Sequence, residues 1–281
     1  MTATLFISIA AYREFELVNT VRDAIRQAAS PGRPRFCICW QHSADESLDG
    51  LENDPRVDII EVPHDRGQGV CWARNRIQQR YRGETYSLQI DGHHRFSQDW
   101  DQTLIDMLET LRAGGVAKPV LTGYLPAYDP DNDPAGRVQT PWFLGFDRFE
   151  PAGVVFMRPY TLPEPAGAPV ATPFWSAHFS FSDGCFNTEV AIDPHGYFHS
   201  EEIGTAVRAW TSGYDFHTPH RVVLWHEYTR KRRICHWQDH DNWGRRNARG
   251  IARYRALVGV DDSPRVDLVP YLRTGAEAQP G

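Results

Sequence analysis

The order of apolar segments in the first 112 residues constrains the fold of this chain more than any other feature. Residues 4–10 form a short apolar run, the pattern of a strand buried on both faces. Over 14–29, Leu17, Val18, Val21, Ala24, Ile25 and Ala28 recur at helical spacing on one face, and Pro31, Gly32 and Pro34 end the helix. Strands are expected at 35–40 (RFCICW) and 57–63 (VDIIEVP), and a helix that opens on glycines near 69–82. A fourth strand covers 85–91 (TYSLQID), and a helix runs from Asp99 to Arg112 with Trp100, Leu104, Met107, Leu108 and Leu111 inward. Regular alternation of this kind predicts an α/β chain built on a doubly wound, mostly parallel sheet with helices on both faces. Such sheets bind ligands beyond the carboxyl ends of their strands. The loops after Ala10, Val62 and Ile90 are therefore expected to share one rim.

The second half is less regular. KPVLTGYL at 118–125 reads as a fifth strand, and residues 126–172, rich in Pro, Gly and Asp, read as a long surface insertion. FWSAHFSFSDGCF, a helix at 201–211 and HRVVLWHEY follow, and then a polar, Arg-rich helical stretch at 236–257. The 201–211 helix is expected to bury Ile203, Val207 and Trp210 and to stop at Gly213. Residues 261–281 read as a partly disordered tail.

Composition narrows the function. A formal net charge of −6 argues against a nucleic-acid binder that works by broad phosphate neutralisation, although RKRR at 230–233 makes a local basic patch. Five cysteines, an odd number with no CxxC pair, argue against a disulfide scaffold and for a reducing, cytoplasmic setting. Cys37 and Cys39 share one face of a strand and read as small core residues. No apolar run is long enough for a transmembrane segment.

The segment with the clearest chemistry is Asp91-Gly92-His93. A carboxylate and an imidazole two residues apart in an extended segment point the same way, so both can touch one ion. A mixed oxygen and nitrogen set suits Mn²⁺ or another divalent transition ion. Gly92 lets the backbone come close to a bulky ligand. His226, at the end of the apolar run RVVLW, is the candidate third ligand, whereas His94 is expected to point the other way.

The strings ISIAAYRE, GVCWARN, YSLQIDGHHRFSQDWD, VLTGYLPAY, FSFSDGCF, HSEEIGTAVRAWTSGYDF and LWHEYTR occur in this order across residues 4–240. Together they resemble the polypeptide N-acetylglucosaminyltransferase family, whose cytosolic eukaryotic members modify hydroxyproline in a ubiquitin-ligase subunit. More distantly they are similar to the mucin-type polypeptide GalNAc transferases, which also use a DxH motif and a late histidine. The resemblance implies a GT-A fold, a UDP-sugar donor (GlcNAc being the expected sugar), Mn²⁺ or Mg²⁺, and retention of anomeric configuration by front-face attack. It implies one catalytic domain over residues 1–260, with a nucleotide-binding half at 1–115 and an acceptor half at 116–260.

Matched residue by residue, Asp91 and His93 fall on the family's metal motif and His226 on its late histidine. Tyr12, Arg13 and Arg74 fall near the nucleotide, and Glu201 and Glu202 on an acidic pair near the donor sugar and the acceptor. Two departures stand out: DGHHRF replaces a string closer to DSHMRF, and His178 stands where a small glycine is more typical. Trp142 and Phe143, inside the insertion, are the aromatic residues expected to meet the acceptor. The acceptor itself is left open among a protein hydroxyl, a small molecule and a glycan. A metal-dependent hydrolase and a non-enzymatic carbohydrate-binding module are the rival readings. No HExxH helix supports the first, and metal-dependent UDP affinity would exclude the second.

Overall fold

The first strand organises the molecule. In a computed structural model that describes residues 3–151, 153–163 and 166–259, β1 (Leu5–Tyr12) is almost wholly buried and pairs in parallel with β2 (Pro34–His42) and β4 (Tyr86–Ile90). Its side chains alternate between two helix layers, as a period of two requires. Leu5, Ile7 and Ile9 join Leu88 and Ile90 beneath α1 (Leu17–Gln27) and α3 (Trp100–Ala113). Phe6 faces the other way, with Cys37, Cys39, Ala73 and Ile77, under α2 (Val70–Gln78). Full burial of each such aliphatic or aromatic side chain stabilises the fold by roughly 1.5–3 kcal/mol. Cys37 and Cys39 are free thiols buried in this layer, as small core residues.

The main sheet continues outward from β2 to β3 (Val57–Pro63). On the opposite side of β1 the order is β4, then β11 (Phe179–Asp183), β6 (Pro119–Thr122), β12 (Asp215–Thr218) and β10 (Val170–Ala171). β11 runs antiparallel to both of its neighbours, which makes the sheet mixed, with a parallel half. The chain builds β1, β2 and β3 in one direction and then returns to lay β4 on the other flank of β1. That reversal is the switch point at which open α/β sheets bind ligands, and it places Tyr12 and Asp91 on one rim.

A small second sheet completes that rim. Past Asp91 the chain turns through Gly92 into β5 (His94–Phe96), which pairs with β13 (Leu224–Glu227), itself parallel to β7 (Ala127–Tyr128). The β5–β13 register sets His226 opposite His94. Among the described residues, four further helices flank the second half: α4 (Phe186–Glu189), α5 (Glu201–Thr211), α6 (His236–Asp239) and α7 (Trp243–Val258).

Several expectations need correction. The 126–172 insertion is built of regular elements: it contributes β7, a hairpin of β8 (Trp142–Phe149) and β9 (Val155–Thr161), and β10 on the edge of the main sheet. The fifth strand stops at Thr122, and the 236–257 helix is broken into α6 and α7. On α5, Trp210 is 64% exposed, while Glu201, Thr205 and Arg208 are buried. The apolar stripe is misleading there because ion pairs carry the polar face inward: Arg74 binds Glu201, and Arg208 lies 3.7 Å from Asp193. No helix among the described residues is long and apolar enough to cross a membrane. The tail expected at 261–281 lies outside the described residues.

Candidate active site

Asp91 is the first residue past the switch-point strand β4, and Gly92 turns the chain so that His93 faces back beside it. A ligand atom from each of Asp91, His93 and His226 lies within 4.8 Å of the others. His93 Nε2 is 3.0 Å from His226 Nε2, and Asp91 Oδ2 lies 3.8 Å and 3.5 Å from the same two nitrogens. Two nitrogen ligands placed at right angles about a cation at ~2.1 Å are separated by about 3.0 Å, so this donor set fits one divalent ion.

The tautomer of His93 is fixed from behind. Its Nδ1–H donates to Glu14 Oε2 at 2.6 Å, which leaves the Nε2 lone pair on the side of Asp91 and His226. Gly92 serves this contact. A Cβ at Gly92 would come within 2.6 Å of Glu14 Cγ, so the approach of Glu14 needs the missing side chain. Arg233 Nη1 donates to His93 Nε2 at 2.5 Å. A guanidinium has only hydrogens to offer, so the site already draws positive charge to that lone pair.

Arg74 is 2% exposed and bridges two carboxylates, reaching Glu201 Oε1 at 2.5 Å and Asp91 Oδ1 at 2.6 Å. Burial raises the Asp91 carboxyl, but Arg74 and the neighbouring imidazoles outweigh it and hold Asp91 well below the usual carboxylate range. Burial likewise drives His226 and His178 well below the ordinary imidazole value, so both rings are neutral. Neutral imidazoles beside an ionised carboxylate are the protonation state that a metal needs.

Glu202 is separate from this network. Its Oε1 accepts the Ala177 N–H at 3.0 Å and its Oε2 accepts the Tyr124 hydroxyl at 2.9 Å. Burial pushes its carboxyl up to about 7, against the two hydrogen bonds, which pull it down. All these groups open onto a cavity of about 470 Å³. A side pocket of about 100 Å³ shares Tyr12, Val70 and Trp237 with it and is walled by Gln41 and Gly69.

A family model described as Glycosyltransferase (GlcNAc) matches residues 4–55 and 49–270. The chain belongs to this GlcNAc glycosyltransferase family. Its fold is similar to solved transferase structures. With GalNAc-T7, solved with UDP, GalNAc and Mn²⁺, the TM-score is 0.67 at 14% identity, over 98% of this chain and 54% of that one. With S. aureus TarS 1-349 in complex with UDP-GlcNAc, the TM-score is 0.57 at 10% identity, over 98% and 73%. This family member thus spans about half the length of the GalNAc-T7 chain. At these identities the likeness shows the fold alone, which is GT-A. A search of curated protein sequences finds no match.

The structure brings Asp91, His93, His226, Arg74, Glu201 and Glu202 to one cavity wall, and separates others that the sequence suggested. Tyr12 lines the cavity, but its hydroxyl donates to Asp239 Oδ2 at 2.8 Å. Arg13 Nη1 donates to the same carboxylate at 3.0 Å, so the YR pair clasps α6. Arg74 and Glu201 hold each other and Asp91, so neither presents a free charge to the cavity. Phe143 stacks on Tyr160, and Trp142 lines a different small cavity near Pro141. The main cavity is instead lined by Phe156, Phe198 and Trp237, together with Tyr12, Tyr124 and Tyr228, and Phe198 and Trp237 are in edge contact at 5.4 Å.

Sequence reasoning missed Glu14, Tyr124, Arg233 and the inward turn of His94, which is fully buried beside His226. Glu14 had a signal: it closes ISIAAYRE, on the loop expected to share a rim with Asp91. The RKRR run divides by direction. Arg230 and Arg233 face the cavity, whereas Lys231 and Arg232 pair at the surface with Asp129 and Asp131.

Proposed function

We propose that this chain is a metal-dependent, retaining glycosyltransferase that moves GlcNAc from UDP-GlcNAc to an acceptor hydroxyl. The observation that carries this reading is the convergence of Asp91, His93 and His226 at the switch point of a GT-A sheet. A Mn²⁺ (or Mg²⁺) ion held by these three would neutralise charge on the departing diphosphate. The chain's own residues prepare for it. Glu14 presents the His93 lone pair, Arg74 keeps Asp91 ionised, and Arg230 and Arg233 supply cationic walls for phosphate oxygens.

The cavity is of the size of known small-molecule sites, about 300–1,000 Å³. Gln41 Oε1 is buried with no hydrogen-bond partner among the described residues and lies on the wall of the side pocket. It would accept an N–H of the nucleotide base there. Glu202 is the carboxylate that remains available to a sugar hydroxyl, since Asp91 and Glu201 are engaged by Arg74. In the front-face route the leaving phosphate takes the acceptor's proton and no carboxylate attacks the anomeric carbon. The similar structures, one solved with UDP, GalNAc and Mn²⁺ and one with UDP-GlcNAc, support the donor class. The proposed acceptor hydroxyl belongs to a protein, a small molecule or a glycan, and the proposed setting is cytoplasmic, in which the free thiols would stay reduced.

The test is transfer from radiolabelled UDP-GlcNAc to candidate acceptors with Mn²⁺. Transfer that stops with a chelator supports the reading. Release of free GlcNAc with no transferred product would point to a hydrolase and sink it.

A further inference from the structure

We infer that His94 is a positioning residue for His226: His94 Nε2 accepts the Nδ1 hydrogen of His226 when that ring presents its Nε2 to a divalent cation. The inference rests on the reading of Asp91, His93 and His226 as a metal site. A histidine that binds metal through one nitrogen almost always donates its other N–H to a fixed acceptor. For His93 that acceptor is Glu14. For His226 it is missing: Nδ1 is buried and has no partner among the described residues.

His94 Nε2 is the matching group. It too is buried without a partner. Its tautomer is set, because His94 Nδ1–H donates to the Asp91 carbonyl at 3.0 Å and leaves a lone pair on Nε2. The ring is held in place by the backbone, where His94 N–H donates to Thr20 Oγ1 at 2.9 Å. His94 and His226 face each other in the β5–β13 register, with ring centres 5.0 Å apart and planes at 65°. Two imidazoles joined by an N–H···N bond of ~3.0 Å have ring centres about 5 Å apart. The two nitrogens make no hydrogen bond in the structure, and the inferred bond forms when His226 turns its Nε2 to the cation.

The other ring nitrogens around His226 are committed. His178 stacks on His226 at 4.3 Å, but its Nε2 accepts the Leu125 N–H at 3.2 Å and its Nδ1–H donates to Ser176 Oγ at 3.3 Å. The Tyr228 hydroxyl donates to the Leu125 carbonyl at 2.9 Å. His94 therefore links two ligands of one site, through the carbonyl of Asp91 on one side and the ring of His226 on the other.

The test compares His94→Gln with His94→Met, which are close in volume and differ in whether they carry a strong hydrogen-bond acceptor. Binding of Mn²⁺ alone is followed by the loss of the free-ion electron paramagnetic resonance signal, and thermal unfolding of the metal-free proteins checks the fold. The expected result is that His94→Met weakens Mn²⁺ binding by about 10–100-fold while His94→Gln recovers most of it. Equal Mn²⁺ affinity in both variants, whether unchanged or equally reduced, overturns the inference. A wild-type protein that binds no Mn²⁺ overturns the metal reading itself, and this inference with it. If His94→Met does not fold, His94→Phe replaces it, with the same two outcomes.

Discussion

Glu14 accepts the Nδ1 hydrogen of His93 at 2.6 Å, and this bond decides which side of the imidazole faces Asp91 and His226. Without it the ring would be free to flip or to change tautomer. Glu14→Ala is therefore expected to weaken Mn²⁺ binding by about 10–100-fold, as loss of an outer partner of a ligand histidine generally does. Titration of Mn²⁺ into the wild type and the variant checks this, and identical affinities would contradict it.

The same contact explains Gly92. Gly92→Ala places a methyl group 2.6 Å from Glu14 Cγ, closer than carbon atoms approach, so the backbone or Glu14 must move. The expected cost is about 1–3 kcal/mol, read by urea denaturation, together with weaker Mn²⁺ binding. A variant equal to wild type in both measurements would show that Glu14 moves aside freely.

Arg74 stands between Asp91 and Glu201, with its side chain only 3% exposed. Removing the cation from between two carboxylates leaves buried charge without a partner. Arg74→Ala is expected to destabilise the fold by about 3–5 kcal/mol. Arg74→Lys recovers only part of that, because an ammonium cannot reach both carboxylates with a planar fork. Denaturation midpoints of the two variants decide it, and a loss under about 1 kcal/mol for Arg74→Ala would mean that the network is not a stabilising one.

The parallel half of the sheet was legible in the sequence because burial on both faces leaves continuous apolar runs such as those of β1 and β2. The shared facing of Asp91 and His93 was legible too, since a period of two turns side chains two residues apart the same way, whereas His226 was a candidate from its place at a strand end and its pairing with them was not fixed by spacing. The acidic face of α5 was not. Its buried charged groups are Glu201 and Arg208, whose partners Arg74 and Asp193 are distant in sequence, so local amphipathicity selected Trp210 wrongly. The hairpin of β8 and β9 was hidden for a related reason: it leaves Phe146 and Phe149 exposed, and its residues show no clean alternation. His94 was misread because β5 leaves the main sheet at Gly92, so its facing is set by β13 and not by the strand before it.

Glu202 gives a pH signature. Burial pushes its carboxyl from an ordinary value of 4.5 up to about 7 in the folded protein. The folded state thus holds this proton more tightly than the unfolded chain. Its contribution to stability is complete below the unfolded value and is lost as pH rises through the folded one. Glu202→Gln has no such ionisation. Relative to wild type, the variant should gain about 1–3 kcal/mol of stability between pH 4.5 and pH 7.5, and the wild-type kcat/KM profile should show an inflection near neutrality that the variant lacks. Parallel stability curves across that range would contradict the assignment.

The most direct measurement is calorimetric titration of UDP into the wild type and into Asp91→Asn, each with Mn²⁺ and again with a chelator. UDP affinity of the wild type is expected to require Mn²⁺ and to disappear in Asp91→Asn, whose fold is retained by circular dichroism. Equal UDP binding with and without the metal, or in both proteins, would show that no cation joins Asp91, His93 and His226 to the diphosphate.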